Sequence, residues 1–128
     1  MKKALIIVDV QNNYFSGGCC ELYHPVETAE NIQKVLERFR KDQNPIIFIQ
    51  HRFQVENGSK DKEWYDQIHD IVKPKENEVV LQKVVPNSFH DTGLEELLQS
   101  LHITDLVIVG MMSHMCIDTT VRAPFLVL

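Results

Sequence analysis

Three side chains in this sequence have the types and settings that acyl-transfer chemistry requires: an aspartate, a lysine and a cysteine. Asp9 directly follows a short apolar run, residues 4–8. A carboxylate at the end of a buried strand is partly desolvated, which raises its pKa and lets it carry a proton near neutral pH. The alternative role for Asp9 is to cap a turn or a helix, and its position alone does not decide between the two.

Cys116 is the candidate nucleophile. It follows the apolar run 106–109 and the loop 110–115, and it opens the segment 117–123. If that segment is helical, the thiol lies at a helix N-terminus, where the dipole favours the thiolate and free N–H groups bind an oxyanion. The alternative is a small core residue, because lone cysteines beside methionines commonly pack in the interior.

Lys83 ends the run 79–83 and would project toward the same rim of the protein. A lysine at this place holds a carboxylate ionised and offsets negative charge on a reacting oxygen. The alternative is a solvated surface lysine. The chemical hypothesis therefore rests on the three residues as a set.

Four short apolar runs, each followed by polar residues or glycine, predict the buried parallel strands that would position this set. The runs are residues 4–8, 45–49, 79–81 and 106–109. Ligands bind to such sheets at the carboxyl ends of the strands. The residues found there are Asp9, His51, Lys83 and the loop 110–116, so the chemistry is expected at one edge of the sheet.

Three segments with helical spacing of apolar residues accompany the predicted strands. The first begins near Pro25, the second follows a capping box of Thr92 and Glu95, and the third follows the polar loop 54–62. Their apolar faces are formed by Ala29, Ile32, Val35, Leu36 and Phe39, by Leu94, Leu97, Leu98 and Leu101, and by Trp64, Ile68 and Ile71. Strands and helices in this order predict an α/β fold with helices on both faces of the sheet.

Length, composition and charge restrict the class of protein. The chain has 128 residues, 44% hydrophobic and 24% charged, which is typical of one compact globular domain. Its 13 basic residues are outnumbered by 18 acidic ones, so we expect no nucleic-acid partner. The run 4–8 is too short for a signal peptide or a membrane span. The odd count of three cysteines argues against a disulfide framework and favours a cytoplasmic localisation.

Several separated segments resemble the isochorismatase-like cysteine hydrolases. They are residues 6–15 (Ile-Ile-Val-Asp-Val-Gln-Asn-Asn-Tyr-Phe), Gly17-Gly18 with Glu21-Leu22, Lys83 with Ser88-Phe89, and residues 110–116 (Gly-Met-Met-Ser-His-Met-Cys). The resemblance covers nearly the whole chain. It implies a three-layer α/β/α fold of Rossmann-like topology, with a parallel sheet in the order 3-2-1-4-5-6.

The resemblance also implies a catalytic set made of Asp9, Lys83 and Cys116. A non-proline cis peptide bond is implied between Met111 and Met112, which would turn the Met112 N–H inward beside that of Cys116 as an oxyanion hole. In the implied mechanism Asp9 takes the thiol proton and the Cys116 thiolate attacks a carbonyl carbon. Lys83 keeps Asp9 charged, and a water activated by Asp9 hydrolyses the thioester.

Two branches of the family differ from this chain at informative positions, which bear on the substrate bond and on metal binding. Members that hydrolyse isochorismate lack the nucleophilic cysteine, so Cys116 favours an amide-type C–N bond. Nicotinamidase-type members have an Asp-x-His metal pair after the second strand, where this chain has His51-Arg52-Phe53. We therefore expect no metal and no other cofactor.

The expected pocket is lined by one histidine and three aromatic residues, His51, Tyr14, Phe15 and Phe89. The alternatives are a hydrogen-bonded loop histidine and ordinary core aromatics. His114 is expected to have a structural or subunit-contact role. The expected partners are a small-molecule substrate and further copies of the chain. The resemblance implies a homo-oligomer (dimer or larger), and an uncovered edge at the last strand favours self-association.

The C-terminal segment departs from the family pattern. Residues 121–123 still match it, residues 124–128 do not, and family members continue for two further strand-helix units, about 50 residues. We therefore expect one domain over residues 1–128, C-terminally short and lacking the last one or two strands. This motivates a second hypothesis, an incomplete family member that binds or assembles without catalysis. A nucleotide-binding module is disfavoured because no glycine-rich phosphate motif is present.

Overall fold

The sheet has four parallel strands, as a computed structural model of residues 3–17, 24–52, 62–84 and 93–111 describes it. They are β1 (Lys3–Val8), β2 (Ile46–His51), β3 (Val79–Lys83) and β4 (Asp105–Gly110). Their order is β3-β2-β1-β4. This confirms the predicted parallel α/β fold and reproduces the first four positions of the implied order 3-2-1-4-5-6.

In the described part of the chain, three α-helices accompany the strands: α1 (Pro25–Lys41), α2 (Lys62–Asp66) and α3 (Leu94–Ser100). The helix predicted near Pro25 is confirmed, with the proline in the first turn, where its missing N–H costs nothing. Basic residues in the last turn of α1 favourably face the negative end of the helix dipole. None of the helices that the structure describes combines the length and apolarity needed to cross a membrane.

Two apolar cores pack on the two faces of the sheet. On one face the strands pack against α1 through Leu5, Ile7, Ile46, Phe48, Ala29, Ile32, Leu36 and Phe39. On the other face they pack against α3 through Ala4, Ile6, Val8, Ile47, Ile49, Leu94 and Leu98. Because β1 is buried on both faces, its sequence is a nearly continuous apolar run rather than an alternating one. The predicted helices on both faces are therefore confirmed.

The start of α3 differs from the prediction. The helix begins at Leu94 with Gly93 as its N-cap, at a φ of 78° and without a side-chain cap. Glycine adopts this left-handed backbone conformation without steric cost because it has no Cβ. The helix thus begins one residue after the start that the predicted capping box of Thr92 and Glu95 implies. Thr92 lies outside the described residues, so the capping box itself stays a prediction.

The helix predicted through Trp64, Ile68 and Ile71 is also wrong in extent. α2 ends at Asp66, Ile68 forms an antiparallel bridge with Gln11, and Ile71 lies in a 3-10 turn. The backbone groups that would continue the helix bond instead to the loop after β1. The N–H of His69 donates to the carbonyl oxygen of Val10, at 2.8 Å. Tertiary contacts with the sheet edge thus override the local helical spacing.

Candidate active site

Asp9 directly follows the central strand β1 and has a strained backbone conformation, which hydrogen bonds to neighbouring backbone groups hold. Its φ is 59°, in the left-handed region that costs most residues about 1–2 kcal/mol and that aspartate tolerates better than most. Its N–H donates to the carbonyl oxygen of Ile49 at 3.0 Å, and its own carbonyl oxygen accepts from the N–H of Gln11 at 2.9 Å. The residue is fully buried, so the turn fixes a carboxylate inside the carboxyl edge of the sheet.

Lys83 forms a buried ion pair with Asp9. The lysine Nζ lies 3.4 Å from Oδ2 of Asp9, and both side chains are fully buried. β2 lies between the strands that carry the two residues, so the pair spans two inter-strand spacings, about 10 Å. Buried charges are tolerated when they are paired, so each residue stabilises the charge of the other. Two of the three residues predicted to be catalytic are therefore brought together.

His51 ends β2 and lies beside this pair. It is the register partner of Lys83 and is half-buried. Burial lowers the pKa of His51 below its ordinary value of about 6.5, and the Lys83 charge acts in the same direction, whereas Asp9 and Asp66 raise it. The neutral form of the imidazole is therefore favoured. Its place beside the pair supports the predicted role as a pocket residue, which stays a prediction.

Gln11 is a residue of this edge that the sequence analysis missed. Its side chain is fully buried. Nε2 donates to the carbonyl oxygens of His51 and Asp66, at 2.8 and 2.7 Å, and Oε1 accepts from the N–H of His51 at 2.8 Å. The available signal was an amide side chain in a segment otherwise predicted to be buried, since a buried amide requires hydrogen-bond partners.

Asp66 is a second buried carboxylate near the pair. It ends α2, and its Oδ2 lies 3.5 Å from Nε of Arg52, the residue after β2. Two glutamine side chains, Gln11 and Gln50, both donate to its carbonyl oxygen at 2.7 Å. The end of α2 is therefore fastened to the loop after β1 and to β2.

β4 ends at the same edge of the sheet, and the segment that leads to Cys116 follows it. Gly110 pairs in register with Val8, and the N–H of Met111 donates to the carbonyl oxygen of Val8 at 3.0 Å. The chain thus enters the loop 110–116 next to the turn that holds Asp9. Cys116, Met112 and Phe89 lie outside the described residues, as does the implied cis peptide bond between Met111 and Met112.

Tyr14 and Phe15 belong to the core on the α1 face, in agreement with the alternative stated for them. The ring of Phe15 stacks on His69, with 3.8 Å between ring centroids. Their part in a pocket wall stays a prediction. Among residues 3–17, 24–52, 62–84 and 93–111, no three side chains of His, Cys, Asp and Glu are grouped as metal ligands.

Comparison with known proteins points to one family. A model of the isochorismatase domain matches residues 3–126. YddQ and YrdC of Bacillus subtilis, both described as uncharacterized isochorismatase family proteins, are each 40% identical to the chain, over 96% and 94% of it. The crystal structure of an isochorismatase from Pseudomonas putida has a TM-score of 0.85 at 38% identity over 94% of the chain.

These relatives are longer than the chain described here. The chain spans 69% of YddQ, 65% of YrdC and 61% of the Pseudomonas putida structure. Two more distant relatives have names that state a reaction. Streptothricin hydrolase of Streptomyces noursei is 29% identical over 94% of the chain and 43% of the relative. Ureidoacrylate amidohydrolase RutB of Acinetobacter baylyi is 26% identical over 95% of the chain and 64% of the relative.

Proposed function

Because the chain belongs to the isochorismatase family of hydrolases, we propose that it hydrolyses an amide-type C–N bond of a small molecule through a thioester on Cys116. The observation that carries this proposal is the buried ion pair of Asp9 and Lys83 at the carboxyl edge of the sheet. The course of β4, whose end lies beside Val8, supports the arrival of Cys116 at the same edge. The three residues then have the types needed for proton transfer, charge stabilisation and nucleophilic attack.

The proposed reaction begins with transfer of the Cys116 thiol proton to the Asp9 carboxylate. The thiolate attacks the substrate carbonyl carbon, and the N–H groups of Met112 and Cys116 bind the resulting oxyanion, each such donor being worth about 2.7–4 kcal/mol. Asp9 then protonates the departing amine as the C–N bond breaks. In the second half, Asp9 takes a proton from water, which attacks the thioester, and the carboxylic acid leaves as the thiol is restored.

Lys83 has an electrostatic role in this scheme. An ammonium 3.4 Å from a carboxylate favours the ionised form, whereas complete burial of that carboxylate favours the neutral form. These opposed influences suit a group that must accept and return a proton in one turnover. Burial favours the neutral form of His51, which adds no net charge to the pair.

The proposed substrates are small amides, ureido acids, other carbamoyl compounds and lactams. The names of two relatives, a streptothricin hydrolase and a ureidoacrylate amidohydrolase, support this range. We further propose that residues 1–128 act as one domain in a cytoplasmic homo-oligomer. The half-exposed edge strand β4, which pairs only with β1 in the described part of the chain, supports self-association, and light scattering tests it.

Ammonia release from a panel of primary amides and ureido acids tests the proposal. We expect turnover by the wild-type chain, none by Cys116→Ala, and unchanged turnover by Cys20→Ala, a matched replacement of another cysteine. Normal turnover by Cys116→Ala would refute the proposed nucleophile. If no member of the panel is hydrolysed and iodoacetamide alkylates Cys116 slowly, the alternative of a non-catalytic binding or assembly subunit is favoured.

A further inference from the structure

We propose that Gln11 is a positioning residue that holds Asp9 and Lys83 at their working separation. This inference rests on the proposed function, because it assigns Gln11 a role in the same reaction. Gln11 lies two residues after Asp9, and its side chain bonds to the strand end that lies next to Lys83. It would therefore act through the ion pair rather than by touching the substrate.

The side chain of Gln11 is fully engaged with backbone groups of two other elements. Both hydrogens of Nε2 are used, toward the carbonyl oxygens of His51 and Asp66, and Oε1 accepts from the N–H of His51. These partners lie 40 and 55 positions away along the chain. Because an amide bonded in both directions to one residue resists rotation and translation, the end of β2 is fixed relative to the loop after β1.

The same strand end holds the backbone of Lys83. His51 is the register partner of Lys83, and the N–H of Arg52 donates to the carbonyl oxygen of Lys83 at 2.7 Å. On the other side, the N–H of Gln11 donates to the carbonyl oxygen of Asp9 at 2.9 Å. A continuous series of hydrogen bonds thus joins the Asp9 turn, through Gln11 and His51, to the residue that supplies the ammonium.

Gln50 provides a matched control for this role. Its Nε2 donates to the same carbonyl oxygen of Asp66, at the same 2.7 Å, so it also fastens α2. Its amide does not bond to His51 in the hydrogen bonds that the structure describes. Loss of Gln50 therefore removes a bond to α2 and an exposed bond from Gln82, whereas loss of Gln11 releases both α2 and the end of β2.

Two readouts measure the geometry of the pair. The first is the rate at which iodoacetamide alkylates Cys116, followed peptide by peptide with Cys19 and Cys20 as internal references. The second is a 13C NMR titration of the Asp9 carboxyl carbon, which reports its pKa without any reaction. Lys83 and His51, which interact directly with Asp9, also affect this titration, and so does Asp66 through its effect on His51. All three are unchanged in the variants.

Gln11→Met keeps the volume of the side chain and removes all three hydrogen bonds. We expect Cys116 alkylation to slow by up to roughly 100-fold, a loss that misplacing a catalytic group by about 1 Å can cause, and the Asp9 titration midpoint to rise. Gln50→Met should keep the alkylation rate within about twofold and leave the midpoint unchanged. Gln11→Glu, which keeps the acceptor for the His51 N–H, should change both readouts in the same direction as Gln11→Met.

The proposal is overturned if Gln11→Met keeps the wild-type alkylation rate and Asp9 titration midpoint. It is also overturned if Gln50→Met slows the alkylation of Cys116 as much as Gln11→Met does. If neither Gln11 variant folds while Gln50→Met does, Gln11 serves folding alone and the proposal is likewise overturned. Failure of the proposed function gives a different result. Cys116 of the wild type would then react no faster than Cys19 and Cys20, while the Asp9 titration would still decide the role of Gln11.

Discussion

Lys83 crosses the end of β2 to place its ammonium 3.4 Å from the carboxylate of Asp9, and neither side chain reaches solvent. Each charge is therefore stabilised chiefly by groups within the protein rather than by water. Because Asp9 and Lys83 are also two members of the proposed catalytic set, the stability of the fold and the chemistry of the site depend on one ion pair.

Replacement of one partner of this pair should destabilise the fold. Lys83→Met leaves a buried carboxylate without its ammonium, which costs about 3–5 kcal/mol in comparable buried pairs. Removal of both charges in Lys83→Met with Asp9→Asn should cost less than the sum of the two single replacements. Urea unfolding monitored by circular dichroism measures the three variants. Additive costs would show that the two charges do not interact.

Stability should fall as the solution is acidified below the pKa of an unfolded histidine, about 6.5. Burial lowers the pKa of both His51 and His69 in the folded chain, against the opposing charges of Asp9 and Asp70. The unfolded chain therefore binds more protons than the folded chain. The contribution of these two histidines to the free energy of unfolding is complete above about pH 6.5 and is lost as pH falls through their folded pKa values.

Unfolding free energies of the wild type, His51→Gln and His102→Gln, measured between about pH 8 and pH 5, test this prediction. His51→Gln should flatten the pH dependence, whereas His102→Gln, at an exposed position, should leave it as in the wild type. A wild-type chain equally stable across this range would contradict it.

Glu78 and Arg40 form an ion pair at the amino ends of the strands, where β3 begins, opposite the carboxyl edge that holds Asp9 and Lys83. The guanidinium of Arg40 donates to both carboxylate oxygens of Glu78, at 2.9 and 2.7 Å. Burial acts to raise the pKa of Glu78, but the bonds from Arg40 and from the Lys75 N–H outweigh it and lower the pKa below 4.5. The contribution of this pair to stability is therefore present above about pH 4.5 and is lost as pH falls through the folded value.

Glu78→Gln should accordingly lower the free energy of unfolding by about 1.5–3 kcal/mol at pH 7, the range for hydrogen bonds to charged groups. Because this pair lies away from the carboxyl edge, the rate of Cys116 alkylation should not change. Urea unfolding and peptide-resolved alkylation measure the two effects. A loss of Cys116 reactivity at unchanged stability would contradict the separation of the two edges.

The sheet and its main helix were predictable because their signals are local. A strand is recognisable from the apolar run 4–8 alone. A helix is recognisable from the spacing of Ala29, Ile32, Leu36 and Phe39. The extent of α2 was not predictable, because its end is fixed by bonds to the loop after β1. The start of α3 after a left-handed backbone at Gly93 was likewise not evident from the sequence spacing.

The candidate site was predictable in composition but not in detail. Asp9 and Lys83 were identified by their places after two apolar runs, and strand topology brings such ends to one edge. Gln11 and Asp66 were missed, since the side chain of Gln11 bonds to backbone carbonyl oxygens 40 and 55 positions away along the chain. No sequence period reports a contact between a side chain and a distant backbone group.

Acylation of Cys116 is the step on which the proposed hydrolysis depends. Rapid quenching of the wild-type chain during turnover of an amide from the panel, followed by mass spectrometry of the digested protein, detects it directly. We predict the mass of the substrate acyl group on the Cys116 peptide, and on neither Cys19 nor Cys20. A Cys116 peptide that remains unmodified while the substrate is consumed, together with continued hydrolysis by Cys116→Ala, would contradict the thioester mechanism.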